Sequence, residues 1–203
     1  DNPITRMNDG EIDPQGRFWA GTMGWEAEPE AGALYRLDPD GTVTQMVDRV
    51  TISNGLGWSP DGTIMYYVDT PTMRVDMFDF DPTSGDIANR REFVTIRHGG
   101  GRPDGLTVDS EGGVWVATWP GYGVHRYLPD GTLDAIIPLP KEIRAVGEAV
   151  PLDGFRIVAA GDEQSQIGAA EINQQVVFLG GRPLPVDKLD GRLPEGRCIV
   201  VAP

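Results

Sequence analysis

Apolar and polar positions alternate with a period of two over short stretches, and turn residues interrupt each stretch before a long helix could form. Leu106 and Val108 alternate with Thr107 and Asp109, Ser110-Glu111-Gly112-Gly113 is turn chemistry, and Val114-Trp115-Val116-Ala117 is a β-rich apolar run. This predicts a hairpin preceded by a Gly-rich loop, with Asp104 just ahead of the first strand. The arrangement recurs. Asn54-Gly55-Leu56-Gly57-Trp58-Ser59-Pro60-Asp61-Gly62 precedes Ile64-Met65-Tyr66-Tyr67-Val68-Asp69, and Asp9-Gly10-Glu11-Ile12-Asp13-Pro14-Gln15-Gly16 precedes Phe18-Trp19-Ala20-Gly21. The polar positions Asp9, Asn54 and Asp104 are read as equivalents, 45 and 50 residues apart. A second hairpin motif, around Gly41, Gly85 and Gly131, repeats at 44 and 46 residues. Two hairpins every ~45 residues predict the four-stranded blade of a β-propeller.

Residues 1–24 are expected to give a loop and a hairpin, 25–31 a polar loop, 32–50 a second hairpin, 51–95 one complete blade and 100–140 another. After about Arg144 the repeat fades, although residues 155–160, 175–179 and 198–203 read as strands. Residues 163–175 have some helical composition but lack caps. The expectation is therefore an all-β chain, one propeller domain over 1–203 holding about four blades. At ~45 residues per blade a six-bladed ring needs roughly 270, so the chain is read either as a compact four-bladed ring or as part of a larger one.

Composition narrows the function. The 203 residues carry a net charge of −14, which disfavours nucleic acid as a partner, since phosphate contacts need a basic patch. No apolar run is long enough for a transmembrane helix, no signal peptide is recognised, and the single Cys198 excludes an intrachain disulfide. These features favour a cytoplasmic setting, with the periplasm as the alternative. The chain opens on Asp1, as a fragment or a processed product would.

Arg6-Met7-Asn8-Asp9-Gly10, Asp13-Pro14-Gln15-Gly16-Arg17-Phe18-Trp19-Ala20-Gly21-Thr22-Met23, Ile52-Ser53-Asn54-Gly55-Leu56, Tyr66-Tyr67-Val68-Asp69-Thr70 and Arg102-Pro103-Asp104-Gly105-Leu106 stand in order and at matching spacing. Together they resemble the SMP-30/gluconolactonase/luciferin-regenerating (regucalcin-like) family, from about residue 4 to about residue 140, with 145–203 divergent. The resemblance implies a six-bladed propeller, here lacking the first blades, with one divalent cation at the channel mouth and hydrolysis of a sugar lactone. It also implies that Asn54 and Asp104 are metal ligands and that Asp104 is the catalytic proton acceptor and donor. Arg6, Asn8 and Glu26 match substrate-contacting positions. A third ligand, a glutamate of the family's first blade, has no counterpart here.

The residues themselves support part of this. Equivalent positions on innermost strands converge on a propeller's axis. Amide and carboxylate oxygens are hard ligands suited to Ca²⁺, Mg²⁺ or Mn²⁺, with Zn²⁺ also open. Such an ion polarises an ester carbonyl, and Asp104 beside it can take a proton from water. The plain alternatives are turn roles for Asp9, Asn54 and Asp104, a solvated carboxylate for Glu26, and blade packing for Trp19, Trp58, Trp115, Tyr66 and Tyr67. His98 and a half-buried His125 read as structural, Cys198 as inert. No Gly-x-Ser-x-Gly elbow occurs. The loop 24–31 is the one lid candidate. Two non-enzymatic readings stand beside the lactonase: a calcium-binding propeller and a protein-interaction platform.

Overall fold

The computed structural model describes residues 4–97, 101–120 and 123–138 with their side chains, and beyond these only the backbone of short strands. The chain divides into two compact units, Asp1–Pro138 and Leu139–Pro203.

The first unit is three four-stranded antiparallel meanders: β1 (Thr5–Ile12) to β4 (Val43–Val50), β5 (Ser53–Trp58) to β8 (Ile87–Thr95), and β9 (Arg102–Val108) to β12 (Leu133–Pro138). Between them run β2 (Phe18–Gly24), β3 (Gly32–Leu37), β6 (Ile64–Asp69), β7 (Arg74–Phe80), β10 (Val114–Trp119) and β11 (Gly123–Tyr127). Of the about four blades expected, three are thus present as complete four-stranded sheets among the described residues. The second unit holds β13 (Ala149–Leu152) to β19 (Arg197–Ile199) in sheets of two and three strands. It carries β17 (Gly168–Ile172) where helical composition was noted, because backbone pairing with β18 (Gln175–Leu179) supplies the hydrogen bonds that weak helix propensity could not.

Hairpin chemistry repeats in register. The amides of Gly16, Gly62 and Gly112 donate to the carbonyls of Asp13, Ser59 and Asp109, and all three glycines have φ between 67° and 87°. That left-handed backbone is what makes glycine the default there. The carboxylate of Asp109 takes the backbone N–H of Glu111 and Gly113, the Trp115 indole and the Arg126 guanidinium. Asp13 does the same with Gln15, Arg17 and Trp19. Trp19 faces Arg36 across β2 and β3, as Trp115 faces Arg126. The middle blade replaces all three at once: Ser59 takes the turn, and the cross-strand pair is Tyr66 and Met77.

Blades pack face to face. Trp19, Leu34 and Val50 of the first meet Leu56, Trp58, Met65, Tyr67, Phe78 and Phe80 of the second. Tyr66, Val68 and Val75, on the other face of the second, meet Leu106, Val114, Val116 and Tyr127 of the third. Both faces of β6 are therefore covered, which is why Ile64-Met65-Tyr66-Tyr67-Val68 reads as a continuous apolar run. The third blade presents the cross-sheet row Val108, Val114, Tyr127 and Leu133 to the second. The same register positions in the first blade, Ile12, Phe18, Leu37 and Val43, are 40–64% exposed.

Candidate functional site

Each innermost strand carries one extra residue at the same place. Between Met7 and Gly10, Ser53 and Leu56, and Pro103 and Leu106, the inner strand advances three residues while its partner advances two. These are β-bulges, which re-aim side chains and interrupt the ladder. The first bulge residue is Asn8 in the first blade, Asn54 in the second and Asp104 in the third. The expected equivalence of Asp9 with Asn54 and Asp104 is therefore off by one: Asn8 is their counterpart, and Asp9 takes the place of Gly55 and Gly105. The bulge breaks the two-residue period, so alternation in sequence resumes only at Leu106. For the same reason Asp104 lies inside β9 rather than on a loop before it.

Gly55 allows the strands to close up. A Cβ there would run into the backbone nitrogen of Leu106 and lie 2.8 Å from the Asp104 carbonyl oxygen. At this approach the Asn54 side-chain amide stands beside the Asp104 carboxylate and favours its ionised form. Asn54 also donates through Nδ2 to Thr70 Oγ1 at 3.0 Å.

Asn8 joins the same layer. Its Nδ2 donates to the Ser53 carbonyl at 2.7 Å, and Arg6 Nη1 donates to Asn8 Oδ1 at 3.1 Å. The Arg6-Asn8 pair is thereby fastened to the residue that precedes Asn54. Glu26 is elsewhere: it is exposed on the loop after β2, its backbone N–H bonded to Glu28.

The electrostatics single out two carboxyls. Desolvation by surrounding protein pushes Asp104 up to about 6, opposed by the Asn54 hydrogen bond. Asp9 is pushed up to about 7, chiefly by desolvation, with added repulsion from Asp104 and Glu11, although the Gly10 amide donates to it at 2.8 Å. Glu11 is raised by the same burial. Both aspartates keep some accessible surface. Displaced acid groups of this kind are what a cation or a proton-transfer step uses.

Supports that the sequence did not reveal lie around them. Tyr67, buried as expected of a packing residue, donates its hydroxyl to Ser53 Oγ at 2.7 Å. Asp69 accepts the backbone N–H groups of Thr51 and Ile52, which lead into β5. Only the Tyr66-Tyr67-Val68-Asp69-Thr70 stretch signalled them, and it reads first as an apolar strand. His125 is fully buried, not half-buried, with Nδ1 3.2 Å from the Tyr127 hydroxyl. His98 lies outside the described residues.

Among the described residues no group of three or more His, Cys, Asp or Glu is gathered as a metal centre. The donor set at the bulges still fits a hard cation: a neutral amide oxygen, a carboxylate and a second raised carboxylate nearby, all oxygen donors. Among the described residues no helix is long and apolar enough to cross a membrane.

The family described as the SMP-30/gluconolactonase/LRE-like region matches residues 1–146. Regucalcin of Danio rerio is 42% identical over 145 residues, covering 70% of this chain and 49% of that protein. Among solved structures, a calcium-binding protein, regucalcin, from Agrobacterium tumefaciens superposes with a TM-score of 0.66 at 37% identity, covering 69% of this chain and 48% of its own. A gluconolactonase of Xanthomonas campestris superposes with a TM-score of 0.56 at 28% identity, covering 69% and 50%. The chain spans about half the length of the relatives it matches. With residues 1–146 of 203 matched, the chain belongs to the SMP-30/gluconolactonase/LRE-like family.

Proposed function

We propose that the protein is a metal-dependent lactonase that hydrolyses the ring ester of a sugar lactone. The observation that carries this reading is the meeting of Asn54 and Asp104 from equivalent bulges of adjacent blades, with Asn8 at the third. Asn54 and Asp104 would hold one divalent cation, with Asp9 adding negative charge beside it. Ca²⁺ suits these oxygen donors, and Zn²⁺, Mn²⁺ and Mg²⁺ are the other candidates. When bound, the ion supplies a Lewis acid for the ester carbonyl.

The chain's own residues do the rest. Asp104, held near 6 by burial, is poised to take the proton of an attacking water near neutral pH and return it to the departing alkoxide. Arg6 has N–H groups beyond the one given to Asn8, and these donate to substrate oxygens and steady developing negative charge. Asn8 and Glu26 complete the proposed substrate contacts, Glu26 from the exposed loop. The gluconolactonase among the structural neighbours supports this chemistry.

Hydrolysis of glucono-δ-lactone, followed by acid release as each metal is added, tests the proposal. Loss of metal-dependent turnover in Asp104→Ala supports it; unchanged turnover overturns it. The calcium-binding neighbour favours a second reading, cation binding without catalysis. That reading predicts a bound ion and no turnover above the metal-alone rate.

A further inference from the structure

Thr70 opens a 3-10 turn (Thr70–Thr72) where β6 ends. Its hydroxyl oxygen lies 2.8 Å from the Pro103 carbonyl oxygen and 3.0 Å from Asn54 Nδ2. A carbonyl can only accept, so the single hydroxyl proton of Thr70 goes to Pro103. Toward Asn54 the hydroxyl then has only lone pairs and must accept. This fixes the nitrogen end of the Asn54 amide on the Thr70 side. With its nitrogen end held there, Asn54 presents Oδ1 as the end available to a ligand.

The repeat shows that this arrangement is particular to the second blade. Thr22, Asp69 and Thr118 occupy the same register position, opposite Met7, Ser53 and Pro103. Thr22 and Thr118 donate their hydroxyls to Ala33 and Gly123, on the next strand of their own blades. In the second blade Asp69 instead fastens the backbone leading to Asn54, and Thr70 beside it reaches across to the third blade, one residue before Asp104.

We infer that Thr70 is a positioning residue: its hydroxyl selects which end of the Asn54 amide faces the ion, and ties Asn54 to the strand that carries Asp104. The inference rests on the cation site proposed above.

Calorimetric titration of the whole chain with Mn²⁺ and with Ca²⁺ tests it, using wild type, Thr70→Ser, Thr70→Val, Asn54→Asp and the Asn54→Asp/Thr70→Val double variant. Thr70→Ser keeps the hydroxyl and is expected within about threefold of wild type. Thr70→Val is expected to weaken binding roughly 10–100-fold, the usual effect of losing a group that orients a ligand. In the Asn54→Asp background the Thr70→Val loss is expected to vanish, because a carboxylate offers oxygen whichever way it turns. Equal affinity in wild type and Thr70→Val, or the same loss in both backgrounds, overturns the inference and leaves the cation site standing. A tenfold loss in Thr70→Ser at an unchanged melting temperature overturns it too, even if Thr70→Val does not fold. Absence of ion binding by the wild type overturns the site and the inference together.

Discussion

The Asn54 side-chain amide stands beside the Asp104 carboxylate between two innermost strands, at the place where the second and third blades are both bulged. The consequence is electrostatic. The amide favours the ionised carboxylate, yet burial outweighs it and pushes Asp104 up to about 6.

Stability without metal is expected to fall as pH rises. Asp104 and Asp9 bind protons more tightly folded than unfolded, with values of about 6 and 7 against 3.8. Their contribution is fully present below pH 3.8 and is lost as pH climbs through 6 and 7. At ~1.4 kcal/mol per unit, the loss is on the order of a few kcal/mol. Thermal melts in chelator between pH 4 and 8 read it, and Asp9→Asn should flatten the curve.

Added divalent ion should reverse that trend. A cation and a proton compete for the same carboxylates, so apparent affinity should rise with pH up to about 7 and level off above it. Titration with Ca²⁺ at pH 5.5 and 7.5 checks this. Pushing the metal-free melting temperature up at pH 7.5 but hardly at pH 5.5 is the expected pattern.

Two buried tryptophans should respond differently to replacement by Phe. Trp19 donates its indole N–H to Asp13 at 3.0 Å, whereas Trp58 Nε1 is buried with no hydrogen-bond partner. Their rings lie 5.9 Å apart in one cluster, so the apolar losses are comparable. Trp19→Phe is expected to cost about 1–3 kcal/mol more than Trp58→Phe, from the carboxylate bond it breaks. Urea unfolding monitored by circular dichroism measures the difference.

The middle blade supplies a swap for the third. Asp109→Ser alone leaves Arg126 with only its more exposed partners Glu111 and Asp134 and takes the carboxylate from the Trp115 indole, and is expected to cost about 1–3 kcal/mol. Adding Trp115→Tyr and Arg126→Met, the set present at Ser59, Tyr66 and Met77, should return much of that stability, because it removes the guanidinium and indole N–H that have lost the Asp109 carboxylate. Three additive losses in urea unfolding would refute the equivalence.

Much of the fold could be read from local chemistry alone. Period-two strands, Gly turns at fixed spacing and the twice-repeated hairpin set the three blades, because each blade is built from near neighbours in the chain. Asn54 and Asp104 stood out by the same repetition. What the chain alone misjudged was the register by one residue at Asp9, since a bulge is a property of two strands together. The supports Thr70, Asp69 and Tyr67 were equally hidden. Their partners Asn54, Pro103, Thr51 and Ser53 come 14 to 33 residues away in the chain, so only the packed blades bring them within hydrogen-bond reach. Sequence, in short, determined where strands and turns fall, through local backbone preference. Tertiary packing decided which oxygens meet, how dry their surroundings are, and therefore which carboxyls hold their protons near neutral pH.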